Sequence, residues 1–235
     1  MHSLDWDEND TPISKRFGDP YFSRQDGRLE THHIFLAGNG LPDRWRGRPV
    51  FTIGELGFGT GLNFLETLAC WQNLGSSGPR LRYIAYERFP LDPRDLRRAL
   101  ARWPELGPSA GALADGWPPE TGRSVREIGG AILELYVGDA NVWLPKSTDQ
   151  VDAWYLDGFS PAKNPDLWGQ ELMLSLFERT SPGGTFATFT VAGWVRRNLT
   201  AAGFRIEKMP GFGRKREFLR GQRPEGRDST AAPNL

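Results

Sequence analysis

Three glycines at alternate positions, set between a short apolar run and an amphipathic helical pattern, constrain this sequence most. The run at 50–53 reads V-F-T-I, and Gly57, Gly59 and Gly61 follow it closely. Glycine permits a tight turn and leaves the backbone bare, so a ligand can lie against the N-terminus of the next helix. The pattern therefore predicts a strand, a ligand-binding turn and a helix start.

The spacing of these glycines separates two classes of nucleotide-binding loop. A dinucleotide-binding loop reads G-x-G-x-x-G and would need glycine where this chain has Leu62. The observed G-x-G-x-G, preceded by the acid Glu55, resembles the S-adenosylmethionine loop of class I methyltransferases. The resemblance implies cofactor binding by a group of residues in and beside the turn: Glu55, Gly57, Phe58, Gly59, Gly61 and Asn63.

From residue 49 onward, apolar strand patterns alternate with helical patterns. Such alternation favours a Rossmann-like α/β fold, with a mostly parallel sheet covered by helices on both faces. Two apolar runs at 124–128 and 131–137, joined by Gly129-Gly130, predict a β-hairpin insertion.

Three segments are expected along the chain. Residues 1–48 form an irregular N-terminal extension that packs on the core, with short strands expected at 21–22 and 34–36. Residues 49–220 form the methyltransferase domain. Residues 221–235 are polar without an apolar period, so we expect a disordered tail.

Three acidic residues follow predicted strands, at the edge where α/β sheets bind ligands. Glu87 can accept hydrogen bonds from a ribose diol, or it can cap the next turn. Asp139 can accept one from an adenine amino group, but a helix N-cap is equally sensible. Asp157 precedes Gly158 in a proline-stiffened loop, and we expect its carboxylate to face the point where methyl donor and acceptor meet.

Bulk composition restricts the partners. The formal net charge is +0, but residues 196–227 hold ten Lys or Arg against three Glu, which permits a basic face or a merely solvated one. With one cysteine and three histidines, of which two are adjacent, we expect no metal site. There is no apolar signal run and no stretch of membrane-spanning length, so a cytoplasmic protein without a membrane partner is expected.

Two longer motifs resemble the methyltransferase domain of the MnmC family of tRNA wobble-uridine modification enzymes. They are residues 55–64, E-L-G-F-G-T-G-L-N-F, and residues 152–165, D-A-W-Y-L-D-G-F-S-P-A-K-N-P. The first is shared by many methyltransferases and the second is far more specific. Further matches at 21–23, 38–42, 182–190, 193–197 and 211–217 extend the resemblance over about residues 20 to 219.

The resemblance implies a reaction and its partners. S-adenosylmethionine would methylate the exocyclic amine of 5-aminomethyl-2-thiouridine in the tRNA anticodon loop, giving 5-methylaminomethyl-2-thiouridine. Larger family members carry an FAD-dependent oxidase half. No second glycine fingerprint follows the first, so we expect no oxidase half and no FAD here. An oxidase fused in a longer protein or acting in trans stays open.

Asp157 is the expected catalytic residue. It would orient the amine and accept its proton, although a carboxylate also stabilises the ammonium form, so orientation is expected to be its larger role. Substrate RNA is expected to meet an aromatic side chain and a set of cations: Phe159, Lys163, Arg196, Arg197, Arg214, Lys215 and Arg216. Phe159 could equally be core, and the 214–216 trio could be merely solvent-facing.

The same motifs bear on four other functions. A SAM-dependent enzyme acting on another amine, small molecule or protein, is the main alternative. The glycine spacing disfavours an NAD-type oxidoreductase, and the intact acidic set disfavours a non-catalytic RNA-binding module. A hydrolase is excluded because there is no G-x-S-x-G motif.

Overall fold

A single eight-stranded sheet organises the part of the chain that the computed structural model describes, residues 4–75, 78–117, 119–213 and 216–226. Its strands, in chain order, are β4 (Val50–Leu56), β5 (Arg80–Glu87), β6 (Gly122–Ile128), β7 (Ala131–Val137), β8 (Val151–Leu156), β9 (Thr180–Thr188), β10 (Arg205–Pro210) and β11 (Glu217–Gln222). The spatial order is β10-β11-β9-β8-β4-β5-β7-β6.

The five central strands are parallel and the flanking ones are antiparallel. β9, β8, β4, β5 and β7 pair in parallel, so their carboxyl ends meet at one edge. β6 pairs with β7 as the predicted hairpin, and β11 returns antiparallel beside β9 with β10 outside it. The predicted mostly parallel α/β sheet is thus confirmed.

Helices cover both faces of this sheet. They are α1 (Gly27–Glu30), α2 (Leu62–Gln72), α3 (Pro93–Leu100), α4 (Gly107–Asp115), α5 (Ala140–Trp143), α6 (Gln170–Glu178) and α7 (Gly193–Ala202). Strand side chains alternate between the two cores: Ile53 and Tyr155 pack with α2 and α3 on one face, whereas Trp154 packs with α6 and α7 on the other. α3 begins at the cap Asp92, whose carboxylate accepts from the Arg94 amide, and α7 ends at Gly203 with φ 115°.

The segment before the sheet is ordered against it. A small antiparallel sheet, β1 (Leu4–Trp6), β2 (Pro12–Ser14) and β3 (Asp19–Pro20), is followed by α1 and by a π-helix at Thr31–Leu36. Ile34 and Phe35 of the π-helix are fully or almost fully buried.

Both short strands expected in this segment were wrong. The apolar triplet at 34–36 lies in the π-helix, because a short apolar run is equally compatible with a buried helical turn. The strand expected at 21–22 is displaced to β3, two residues earlier, where the backbone pairs with β2.

The C-terminal strand runs further than predicted. β11 continues to Gln222, past the boundary set at residue 220, because its backbone pairs with β9. The Arg223 guanidinium then donates to the carbonyls of Phe177 and Thr180. Residues 227–235 of the predicted tail lie outside the described residues.

Candidate active site

Loops that follow four adjacent parallel strands enclose a cleft of about 1110 Å³. The N-terminal extension forms the opposite wall. Most of the predicted site residues line this cleft: Gly57, Phe58, Gly59, Asn63, Glu87, Asp139, Asp157, Phe159 and Lys163. Ligand binding at the carboxyl edge of the sheet is the expected placement for this topology.

The glycine turn is built for close backbone approach. Gly57 has φ 91° and its amide donates to the Tyr86 carbonyl at 3.0 Å. A Cβ at this position would lie 2.7 Å from the Asp157 carbonyl oxygen, so only glycine lets the turn meet the loop after β8. Gly61, with φ 73°, then starts α2.

Glu87 spans the turn at the end of β5. Its Oε2 accepts from the Gly59 amide at 2.8 Å and its Oε1 from the Phe89 amide at 2.7 Å. Burial raises the pKa of Glu87 above its ordinary value, although these backbone hydrogen bonds oppose the rise. Each carboxylate oxygen has a second lone pair, so the side chain can still accept hydrogen bonds from a ligand.

Asp139 caps α5, one of the two roles that its sequence position allows. One carboxylate oxygen accepts from the Asn141 amide at 2.9 Å, at the start of α5. The other is 2.9 Å from the Arg88 guanidinium. The residue lines the cleft all the same, so its predicted adenine contact stays a prediction.

Asn63 links two carboxylates. Its Nδ2 donates to Glu55 Oε1 at 2.8 Å and to Asp157 Oδ2 at 2.6 Å. The Asp157 backbone amide donates to the Leu56 carbonyl at 3.0 Å, which fixes the loop to the end of β4. Asn63 was predicted as a cofactor ligand, and the structure shows its amide nitrogen engaged with these two acids.

Glu55 lies beneath the cleft and is fully buried. Burial raises the pKa of Glu55 well above its ordinary value of 4.5, and the nearby charge of Asp157 raises it further. The Tyr83 hydroxyl faces Glu55 and lowers this pKa. Glu55 Oε2 has no hydrogen-bonding partner among the described residues. The net upward shift favours the protonated form of Glu55, which does not line the cleft.

Aromatic rings from two distant parts of the chain form one wall. Phe159 stacks on Phe17 with centroids 4.7 Å apart and meets Tyr21 edge-on at 5.1 Å. Phe159 is half-buried and lines the cleft, so it is not part of the closed core. Burial and the charge of Glu87 raise the pKa of Tyr21, which keeps its hydroxyl protonated.

Lys163 fastens the N-terminal sheet to the loop after β8. Its ammonium is 3.0 Å from Asp19 Oδ1 and also donates to the Gly18 carbonyl, while Asp19 Oδ2 accepts from the Ser160 amide at 2.9 Å. The side chain predicted to meet RNA phosphate thus has an intramolecular partner.

The remaining predicted cations lie around the same edge. Arg196 and Arg197 are in the first half of α7, which follows β9. Arg216 is exposed at the β10–β11 turn, whose Phe212 lines the cleft. Among the described residues, none forms an ion pair with these three arginines. Arg214 and Lys215 lie outside the described residues.

Much of the wall that the N-terminal extension contributes to the cleft was not predicted. Phe17, Tyr21 and Thr31 come from the N-terminal extension, and their contacts join residues far apart in sequence. Local periodicity carries no signal for such contacts. The sequence marks Tyr21 as part of an expected short strand and of the family resemblance, and not as a site residue.

Comparison with known proteins decides the family. Residues 105–224 match the model of a family described as S-adenosyl-L-methionine-dependent methyltransferase, which is half of the chain. The chain belongs to this methyltransferase family. The matched range includes Asp139, Asp157 and Phe159 and excludes the glycine turn, so the geometry of the turn is independent support for the methyltransferase.

Bifunctional MnmC proteins are similar to this methyltransferase chain. The tRNA 5-methylaminomethyl-2-thiouridine biosynthesis bifunctional protein MnmC of Chromohalobacter salexigens is 50% identical over 228 residues, 93% of this chain and 32% of that protein. The Pseudomonas aeruginosa protein of that name is 48% identical over 224 residues, 93% of this chain and 34% of that protein. The chain spans about a third of the length of the curated relatives it matches.

A solved structure shares the methyltransferase fold. MnmC2 from Aquifex aeolicus aligns with a TM-score of 0.75 at 24% identity, covering 94% of this chain and 70% of that one. The resemblance to MnmC read from the sequence motifs is thereby confirmed at the level of sequence and fold.

The cleft of this methyltransferase fits S-adenosylmethionine. The glycine turn before α2 lines the cleft with bare backbone beside a helix N-terminus, which suits close approach by the methionine part of the molecule. Glu87 at the end of β5 has lone pairs left for a ribose diol. The individual contacts stay predictions.

Two features, a membrane-spanning helix and a metal-binding group, are absent from the residues that the structure describes. No helix there is long and apolar enough to cross a membrane. No three His, Cys, Asp or Glu side chains in those ranges come together as a metal-binding group.

Proposed function

We propose that this chain methylates the exocyclic amine of 5-aminomethyl-2-thiouridine at the wobble position of tRNA, giving 5-methylaminomethyl-2-thiouridine. The observation that carries the proposal is the Asp157 carboxylate, which Asn63 holds beside the glycine turn in a cleft with an aromatic wall. The names of relatives about half identical to this chain support the choice of acceptor.

Positioning is the main task of the residues around the acceptor. S-adenosylmethionine supplies a methyl group that its sulfonium already makes electrophilic. Aligning an amine lone pair with the carbon–sulfur bond then accounts for most of the rate enhancement. Asp157 is placed to accept a hydrogen bond from the amine and to take its proton.

The acceptor amine must be neutral to react. A carboxylate alone favours the ammonium form and raises the pKa of the amine. The rings of Phe159, Phe17 and Tyr21 exclude water from this side of the cleft, which favours the neutral amine. Orientation is therefore the larger contribution of Asp157.

The tRNA is held outside the cleft by cations. A wobble base leaves the anticodon stack and meets aromatic side chains, while Arg and Lys contact the flanking phosphates. Arg197 and Arg216 are exposed and Arg196 is partly exposed, none of the three has an ion-pair partner among the described residues, and Arg214 and Lys215 directly precede Arg216 in sequence. A tRNA substrate implies a cytoplasmic location, and the amine it carries implies an FAD-dependent oxidase, fused or separate, acting beforehand.

The acceptor class is tested by offering three kinds of amine in separate incubations. Purified protein is incubated with labelled S-adenosylmethionine and tRNA from cells that cannot complete this modification, with total protein, or with a small-amine mixture. Label in RNA is expected, and it should vanish after nuclease treatment. Label in protein or small molecules alone would mean an S-adenosylmethionine-dependent methyltransferase with another amine substrate.

A further inference from the structure

A buried chain of polar side chains connects the N-terminal extension to the carboxylate in the cleft. It comprises Thr31 in the π-helix, Asn63 at the start of α2, Glu55 near the end of β4 and Asp157 after β8. Thr31, Asn63 and Glu55 are buried, with exposed fractions of 2%, 7% and 0%. Four separate elements thus converge on one amide group.

The hydrogen bonds define which way the Asn63 amide faces. Its Nδ2 lies within 2.8 Å of one Glu55 oxygen and 2.6 Å of one Asp157 oxygen. Its Oδ1 lies 2.6 Å from the Thr31 hydroxyl, whose single hydrogen has two acceptors within reach, this oxygen and the Gly27 carbonyl at 3.0 Å. The reversed amide would place Oδ1 against the Asp157 carboxylate, which has no hydrogen to donate, so the contact with Asp157 decides the orientation.

We propose that Asn63 is a positioning residue for the reaction: one amide hydrogen holds the Asp157 carboxylate in line with the acceptor amine, the other is anchored on Glu55, and the Thr31 hydroxyl holds the amide oxygen. The inference rests on the proposed function, because it takes Asp157 as the group that orients the amine. It reassigns Asn63, whose sequence neighbourhood predicts a cofactor ligand.

A neutral Glu55 avoids charge repulsion with Asp157 across the Asn63 amide. Two charged carboxylates sharing one amide would repel each other in a site from which water is excluded. Burial and the charge of Asp157 raise the pKa of Glu55, which favours its neutral form and leaves the negative charge on the side that faces the cleft. Asn63 can then donate to both groups without bringing two charges together.

The first test replaces Asn63 with a side chain of similar size that has no donor. Asn63→Leu is expected to lower kcat for tRNA methylation at least tenfold while the Kd for S-adenosylmethionine stays within about threefold. A weakened Kd with unchanged kcat would overturn the proposal and make Asn63 a cofactor ligand.

A double-mutant cycle separates positioning from general damage to the fold. If Asn63 acts through Asp157, adding Asn63→Leu to Asp157→Asn should change kcat by less than about twofold. Independent, multiplicative losses in the double variant would overturn the proposal, because residues that act as a unit are not additive.

A second pair of variants covers the case in which Asn63→Leu does not fold. Thr31→Val removes the hydroxyl at constant shape, and Thr31→Ser keeps it. Nuclear magnetic resonance of the Asn63 side-chain amide should show two protected hydrogens in the wild type and in Thr31→Ser, with exchange at least tenfold faster in Thr31→Val. kcat should stay near the wild-type value in Thr31→Ser and fall in Thr31→Val. Equal protection in all three proteins would overturn the proposal.

The resonance measurement needs no tRNA. Protection that depends on Thr31, in a protein that methylates no tRNA, would contradict the proposed substrate and leave the hydrogen-bonded chain supported. tRNA methylation that is unchanged by both Thr31→Val and Asn63→Leu would support the proposed substrate and contradict the positioning role of Asn63.

Discussion

Asp157 is the residue on which the proposed chemistry depends most. Its neighbours fix it from three directions: Asn63 through the side chain, Leu56 through the backbone, and Gly57 through close packing against its carbonyl. Local sequence identified it because an acid followed by glycine at a strand end is a readable pattern. The amide that holds it is eight positions from Glu55 and far from Asp157 in sequence, so its role could not be read from spacing.

Replacing Asp157 with asparagine should reduce turnover far more than cofactor binding. The side chain keeps its size but loses the charge that orients the amine and accepts its proton. kcat should fall about a hundredfold or more, in the range of general base losses, while the Kd for S-adenosylmethionine changes by about threefold or less. Steady-state kinetics and calorimetry measure the two quantities. Asp166→Asn, the same change at an exposed residue of the same cleft, is the control and should stay near wild type.

Glu55 should make stability depend on pH. Its pKa is raised in the folded state above the ordinary 4.5, so the folded protein keeps a proton that the unfolded chain releases. Its contribution to the free energy of unfolding is fully present below about pH 4.5 and is lost progressively as the pH rises toward the folded pKa. Glu55→Gln, which cannot titrate, should show a weaker decline between pH 5 and pH 8 in urea denaturation. A decline as steep as that of the wild type would mean that Glu55 is ionised in the folded protein.

At the scale of elements, the parts that repeat a local pattern were predictable and the parts built by distant contacts were not. The strand, turn and helix from Val50 to Gln72 follow from apolar runs and glycines. The π-helix at Thr31–Leu36 was misread as a strand, since its apolar triplet has no period of its own. The wall that Phe17 and Tyr21 build depends on how the first small sheet docks, which no local signal encodes.

The glycine turn should tolerate no side chain at position 57. Gly57→Ala adds a Cβ 2.7 Å from the Asp157 carbonyl and must distort either the turn or the loop after β8. The affinity for S-adenosylmethionine should fall at least tenfold, as measured by calorimetry. Gly47→Ala is the matched control, because Gly47 also has positive φ, 70°, but a Cβ there has no neighbour within 4 Å. It should lose about 1 kcal/mol of stability and keep its affinity.

The first half of α7 should contribute to tRNA affinity through charge. Arg196→Gln with Arg197→Gln removes two positive charges at the carboxyl edge, so the KM for tRNA should rise and its dependence on salt should weaken. Arg80→Gln with Lys146→Gln removes two exposed charges close to the amino ends of β5 and β8 and should change neither. KM values measured between about 50 and 200 mM salt make the comparison. Equal effects of the two pairs would show that charge acts through the whole protein and not through this edge.

At the scale of the whole molecule, the protein has no net charge, but the cleft and three of the predicted cations lie at the carboxyl edge of its central strands. The net charge is +0, yet Arg196, Arg197 and Arg216 lie around the carboxyl edge of the central strands. The aromatic wall and both acids of the hydrogen-bonded chain lie at the same edge or just beneath it. Composition alone could not reveal this, because it records how many charges there are and not which edge they occupy.

The most direct test of the account is the identity of the methylated nucleoside. Purified tRNA carrying 5-aminomethyl-2-thiouridine is incubated with S-adenosylmethionine bearing a deuterated methyl group, digested, and analysed by mass spectrometry beside the same tRNA without the aminomethyl group. The account predicts deuterated 5-methylaminomethyl-2-thiouridine from the first tRNA and no labelled nucleoside from the second. Label at any other nucleoside, or none in a protein that binds S-adenosylmethionine, would contradict it.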